Sequence, residues 1–178
     1  DCKNRQILFV GDSIVEGINV LGNGANANVN SAINGFAFRT ARLLNSIPLL
    51  CGYGGTAVLG NASFHKPIEA IDYNINGIPV NLQHPDVIYI DHVFNVCTLV
   101  SNGTYTNDDF KAAYKELIER LMLKYPGIQI ICLIPFAQSL KKEIKECASY
   151  YKCCHIVDSE NWGISYTDGT HPDIEGSM

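Results

Sequence analysis

The feature that most constrains this chain is a rhythm of short apolar runs. QILFV (6–10), IPLLCGYGG (47–55), DVIYIDHVFN (86–95), IQIICLIPF (128–136) and HIVDS (155–159) read as strands, most of them dense enough in apolar residues to be buried on both faces. Between them lie stretches with helical spacing. A strand followed by a helix returns by a crossover rather than a tight turn, so its neighbour runs parallel and helices cover both faces of the sheet. The expected architecture is α/β, a three-layer α/β/α sandwich with a parallel sheet of about five strands. At 178 residues and 47% hydrophobic, the chain has the size and core for one such domain, 1–178. It starts without Met, as a processed product or a piece of a longer protein does.

Three helices are expected. GFAFRTARLLNS (35–46) places Phe36, Ala37, Leu43 and Leu44 on or near one face. The segment 107–124 gives the clearest signal, with Asn107 as cap, Asp108 and Asp109 at the positive end and Lys124 at the other. SLKKEIKECASYYK (139–152) is the third. The Asn- and Gly-rich stretch 18–34 has no period and reads as a long loop beside the first strand, where such loops commonly line a site.

Charge and spacing exclude several functions. A net charge of −5 without a basic stripe gives no grip on nucleic acid. No apolar run reaches the ~18–20 residues that cross a bilayer, so no membrane insertion is expected. The seven cysteines include no Cys-x-x-Cys pair and read as small buried hydrophobes rather than zinc or redox ligands. There is no HExxH, and no metal or organic cofactor is called for. The N-terminus DCKNRQ lacks a signal pattern; secretion stays open, and a secreted or cell-surface home with the signal segment absent from this chain is the favoured expectation.

Ligands of an open parallel sheet sit beyond the carboxyl ends of its strands, so those ends belong together. The first run stops at Gly11-Asp12-Ser13, the second at Gly52-Tyr53-Gly54-Gly55-Thr56, the third at Phe94-Asn95, and the last is followed by YTDGTHPD with Asp168 and His171. Each alone reads as a turn or an exposed loop. Together they supply a hydroxyl nucleophile, an imidazole to take its proton, a carboxylate to orient the imidazole, and donors for an oxyanion.

In these four blocks the chain resembles the SGNH (GDSL-like) hydrolases over essentially its whole length. The resemblance implies a flavodoxin-like sandwich and a nucleophile at Ser13. It matches GYGGTA to the oxyanion turn, with Gly55 as donor and Gly54 where a small residue stands. It places Asn95 of PDVIYIDHVFNV as a side-chain donor, and DGTHP supplies Asp168 and His171. The third block departs from the family pattern, having Val93 and Val96 where relatives carry Gly before and Asp after the Asn. Only seven residues follow His171, where relatives commonly continue into a helix; if residues 1–178 are the whole folded unit, one face of the sheet is expected to be thinly covered.

Other residues compete for these roles. Asp91 and His92 are adjacent, and strand neighbours point to opposite faces, so a structural role is expected for this pair. His65, His84 and His155 lack acids at useful spacing and read as loop or surface residues. Asp12, Tyr53, Gly54, Phe94 and Trp162, with Tyr166 nearby, are candidates for a small, partly aromatic substrate pocket, and core packing is the competing reading for each aromatic.

The resemblance implies a serine esterase acting on small acyl esters, with O-acetyl groups of a carbohydrate the favoured expectation; the absence of a lid-like apolar insertion weakens a long-chain lipase reading. Two alternatives stand: a lysophospholipase- or thioesterase-like acyl hydrolase, and a non-catalytic carbohydrate-binding module.

Overall fold

The computed structural model describes residues 5–24, 26–60, 67–72, 78–79 and 84–178. His65 and Cys2 lie outside the described residues. Five parallel strands form the sheet: β1 (Gln6–Gly11), β2 (Ile47–Gly52), β3 (Val87–Asp91), β4 (Gln129–Ile134) and β5 (Cys154–Asp158), in the order β2-β1-β3-β4-β5. Among the described residues six α-helices accompany them: α1 (Ser13–Glu16), α2 (Phe36–Leu43), α3 (Pro67–Ala70), α4 (Phe94–Ser101), α5 (Asn107–Lys124) and α6 (Lys141–Ser149).

The sheet separates two cores. On one side α4, α5 and α6 pack Val96, Phe110, Tyr114, Leu117, Ile118, Leu121 and Ile144 against Leu8, Val10, Ile88, Ile90, Ile130 and Cys132. Tyr114 and Phe110 are fully buried, and removing each such side chain from water contributes about 1.5–3 kcal/mol. On the other side α1 and α2 cover Ile7, Phe9 and Leu133 with a much smaller set of side chains. The three layers are as expected.

Among the described residues this second face is the less covered of the two. Beyond Phe9, which stacks on Tyr89 with ring centroids 5.3 Å apart, Tyr89, Ile131 and Val157 are only half-buried and His155 is exposed. Among the described residues no helix packs there.

Several local expectations are corrected. The third run does not stay extended to Asn95: β3 stops at Asp91, and FNVCTLVS turns into α4. Its continuous apolar, β-branched character conceals the change of period. Thr106, not Asn107, caps α5, with the Asp109 carboxylate returning a bond to the Thr106 N–H at 2.8 Å. Along α2 the buried residues are Phe36, Ala37 and Ala41, while Leu43 is 78% and Leu44 51% exposed. No helix among the described residues is long and apolar enough to cross a membrane.

This strand order has one reversal of direction, between β1 and β3, and crevices for ligands open at such a point. The register brings Gly11 level with both Gly52 and Asp91. The ends of β1, β2 and β3 therefore lie side by side.

Candidate active site

At the end of β1, Asp12 leaves the sheet and caps α1, its Oδ1 accepting from the Ile14 N–H at 3.1 Å. The acid of Gly-Asp-Ser is thus a turn device, and it fixes the first helical residue, Ser13, at the strand's edge. Asp12 is 1% exposed, so it underlies the pocket rather than lining it, contrary to the expectation that it would face substrate. Burial pushes its carboxyl up to about 6, opposed by the Ile14 N–H and the nearby His171. Asp91, fully buried beside it, is raised well above the usual range by burial and by Asp12. Two buried carboxyls this close favour keeping at least one proton between them.

Ser13, His171 and Asp168 meet in one hydrogen-bonded chain. His171 Nε2 lies 2.9 Å from Ser13 Oγ, and Nδ1 lies 2.7 Å from Asp168 Oδ2. The loop carrying the acid and the imidazole has no regular secondary structure, and its shape comes from its own bonds. Thr167 N–H donates to His171 O at 3.0 Å, and Tyr166 bridges Pro172 antiparallel. Asp168 Oδ1 accepts from the Thr170 and His171 N–H groups at 3.0 and 2.8 Å, leaving Oδ2 for the imidazole. Burial tends to raise the Asp168 carboxyl, but the donors from His171, Asn19 and Thr170 outweigh it and hold the group far below the usual carboxylate range. It stays ionised, which favours a proton on His171 Nδ1 and a bare Nε2 lone pair facing the hydroxyl.

Asn19 is the residue that sequence reasoning missed. Its Nδ2 donates to Asp168 Oδ2 at 2.8 Å, and its N–H is taken by Asn30 Oδ1 at 3.0 Å. Its φ of 56° is left-handed, a conformation asparagine tolerates better than most residues. The 18–34 loop was expected to line something, but one asparagine among six in that stretch carries no periodic signal.

The turn after β2 forms the opposite wall. Gly55 has φ +77°, and a Cβ at Gly54 would lie 2.7 Å from Ile18 Cδ1, so the end of the Ile18 side chain would have to shift to admit one. The Gly54 N–H donates to Glu16 Oε2 at 2.6 Å. Asn95, near the start of α4, donates from Nδ2 to the Thr56 carbonyl at 2.8 Å, which brings its amide to this turn.

The departures in the third block have local explanations. Val93 precedes α4 with φ −125°, which an L residue adopts without strain, and Val96 is fully buried in the larger core, turned from the site. Tyr53 packs on the larger core and Phe94 on the smaller, so they approach from opposite sides of the sheet. Trp162 stands apart from them: with Phe36 and Phe136 it lines a cavity of about 250 Å³ whose lining does not include Ser13 or His171.

Asp91 and His92 do not pair. Asp91 Oδ2 and His92 Nδ1 are both buried without partners, and His92 Nε2 lies 3.1 Å from Thr56 Oγ1. His155 is exposed and meets Gln129 across β4 and β5 at 2.8 Å, and His84 packs edge-on against Tyr125. The described cysteines carry free thiols, with Cys51, Cys132 and Cys147 buried. Among the described residues no group of three or more His, Cys, Asp or Glu is placed to hold a metal ion.

No family model matches the chain, and no curated protein matches it in sequence. Solved structures do. A family two carbohydrate esterase from Clostridium thermocellum, in complex with cellohexaose, is 21% identical with a TM-score of 0.82, covering 97% of this chain and 60% of its own. A family two carbohydrate esterase from Cellvibrio japonicus is 18% identical with a TM-score of 0.79, covering 97% and 57%. An acetyl xylan esterase from the rumen bacterium Butyrivibrio proteoclasticus is 18% identical with a TM-score of 0.78, covering 97% and 60%. The chain thus spans about 60% of the length of the structures it resembles, and the likeness establishes a shared fold.

Proposed function

We propose that this chain is a serine esterase of the SGNH kind, which removes small acyl groups, chiefly O-acetyl, from a carbohydrate. The observation that carries the reading is the Ser13–His171–Asp168 chain of 2.9 and 2.7 Å contacts at the sheet's switch point. The carbohydrate esterases that share the fold support the substrate class.

Ser13 Oγ attacks the ester carbonyl while His171 Nε2 takes its proton, and Asp168 stabilises the imidazolium. The tetrahedral oxyanion is held by the N–H groups of Ser13 and Gly55 and by the Asn95 amide, whose second N–H is the one directed to it. His171 then returns the proton to the leaving alcohol oxygen. Water, deprotonated by His171, releases the carboxylic acid from the acyl-enzyme and restores the Ser13 hydroxyl.

The test is hydrolysis of p-nitrophenyl esters of increasing acyl length, together with acetate release from acetylated oligosaccharides. Turnover that drops steeply beyond acetate, and is lost in Ser13→Ala, supports the reading. Undiminished turnover of octanoate redirects it to a lysophospholipase- or thioesterase-like hydrolase. Oligosaccharide binding without acetate release leaves only a binding module.

A further inference from the structure

We propose that His92 is a positioning residue for the oxyanion turn at 53–56: its buried imidazole donates to the Thr56 hydroxyl and fixes the peptide on which Asn95 and Gly55 depend. The inference rests on the esterase reading above.

Proton accounting at Thr56 sets the direction of the bond. Thr56 Oγ1 lies 2.6 Å from the Tyr53 carbonyl, which can only accept, so the single hydroxyl proton is spent there. The same oxygen lies 3.1 Å from His92 Nε2, which must therefore supply the other proton. His92 is the Nε2–H tautomer, and its bare Nδ1 is the buried atom without a partner. Burial holds this imidazole down to about 4, so it is neutral wherever His171 can act as a base.

Thr56 is then gripped at three atoms. Its N–H donates to Tyr53 O at 3.2 Å, its hydroxyl bridges Tyr53 and His92, and its carbonyl accepts from Asn95 Nδ2. Both Thr56 and His92 are almost wholly buried, whereas the other anchor of the turn, Glu16 on Gly54, is exposed. The preceding peptide belongs to Gly55. A turn with two glycines is conformationally loose by itself, and a buried anchor on its last residue removes that freedom before substrate arrives. An aliphatic residue at 92 would fill the space without the desolvation cost of an orphaned nitrogen. What that cost secures is one hydrogen bond, aimed at the turn.

Rates of p-nitrophenyl acetate hydrolysis by His92→Phe, His92→Gln, Thr56→Val and the double variant His92→Phe/Thr56→Val test this. We expect His92→Phe to lower kcat about 10–100-fold with KM within about twofold, because the oxyanion contacts it supports form only in the transition state. His92→Gln, whose amide reaches as far as Nε2, should recover most of the loss. Thr56→Val should match His92→Phe, and the double variant should be no worse than either. Wild-type kcat in a folded His92→Phe, or additive losses in the double variant, would overturn the assignment. If His92→Phe does not fold, wild-type kcat in Thr56→Val overturns it alone. Nitrogen-15 spectra of the wild-type histidines read the geometry without turnover: an Nε2–H tautomer at His92 supports the anchor, and an Nδ1–H tautomer removes it. A wild type that hydrolyses no ester, yet shows Nε2–H, defeats the esterase reading and not the anchor.

Discussion

Two acid–histidine pairs lie near the switch point, and they behave in opposite ways. Asp168 and His171 are three residues apart on an irregular loop, half-buried, bonded to each other, and joined to Ser13. Asp91 and His92 are adjacent, buried, and not bonded to each other. The first acid is held ionised by convergent donors, while burial and Asp12 push the carboxyl of the second well above the usual range. Proximity in sequence thus counts for little. A pair becomes a relay only where a turn aims both groups the same way and donors keep the acid charged.

The largest separation between the pairs should appear in turnover. His171→Ala is expected to lower kcat for p-nitrophenyl acetate by about 10⁴–10⁶, as loss of a triad member does, against the far smaller loss foreseen at His92. Comparable losses at both positions, with circular dichroism unchanged, would break the contrast. Asn95 stands between the pairs through its bond to Thr56. Asn95→Ala should lower kcat about 10²–10³-fold at nearly constant KM, and a variant that melts earlier but turns over normally would make Asn95 structural.

The carboxyls beneath sharpen the contrast through pH. Asp12 ionises in the fold only near 6, above its ordinary value, so the stability it permits at low pH is lost as pH rises through about 4 to 6. Asp12→Asn keeps an acceptor for Ile14 and should be more stable than wild type at pH 8 by up to about 3 kcal/mol, with the gain vanishing at pH 3. Asp168 has the reverse sign. Its lowered pKa contributes stability above the ordinary carboxylate range that is lost on acidification, so Asp168→Asn should be destabilised at pH 7. Denaturant melts across pH check both. The smallest effect is expected at Asn19: Asn19→Ala removes one of four donors to Asp168 and should cost about 5–20-fold in kcat, with Asp168 still ionised by its remaining partners.

Much of this was legible in the residues. The apolar runs ending on Gly11 and Gly52 gave strand positions, and the reversal of strand order explains why their ends converge. Asp168 and His171 could be paired because their block fell at the same sheet edge as the other three and matched the resemblance; their spacing alone reads as an exposed loop. What stayed hidden depended on partners far along the chain. Asn19 means nothing until Asp168 arrives beside it. His92 means nothing without Thr56, and α4 hides because an apolar run buried on one side looks the same at either period. Leu43 and Leu44 misled for the opposite reason: helical spacing was present, but only the N-terminal end of the face it marked, Phe36 and Ala37, is buried, and the C-terminal end lies against solvent.

The separation of the site's pieces along the chain also has a consequence in time. Ser13 and His171 are 158 residues apart. At a synthesis rate of about 5–20 residues per second, roughly 8–30 s pass between them on the ribosome. Throughout that interval the serine is an ordinary alcohol with no base to activate it. On the proposed mechanism reactivity waits for His171: ribosome-bound chains stalled before residue 168 should leave a fluorophosphonate probe untouched, and released chains that include His171 should take it up.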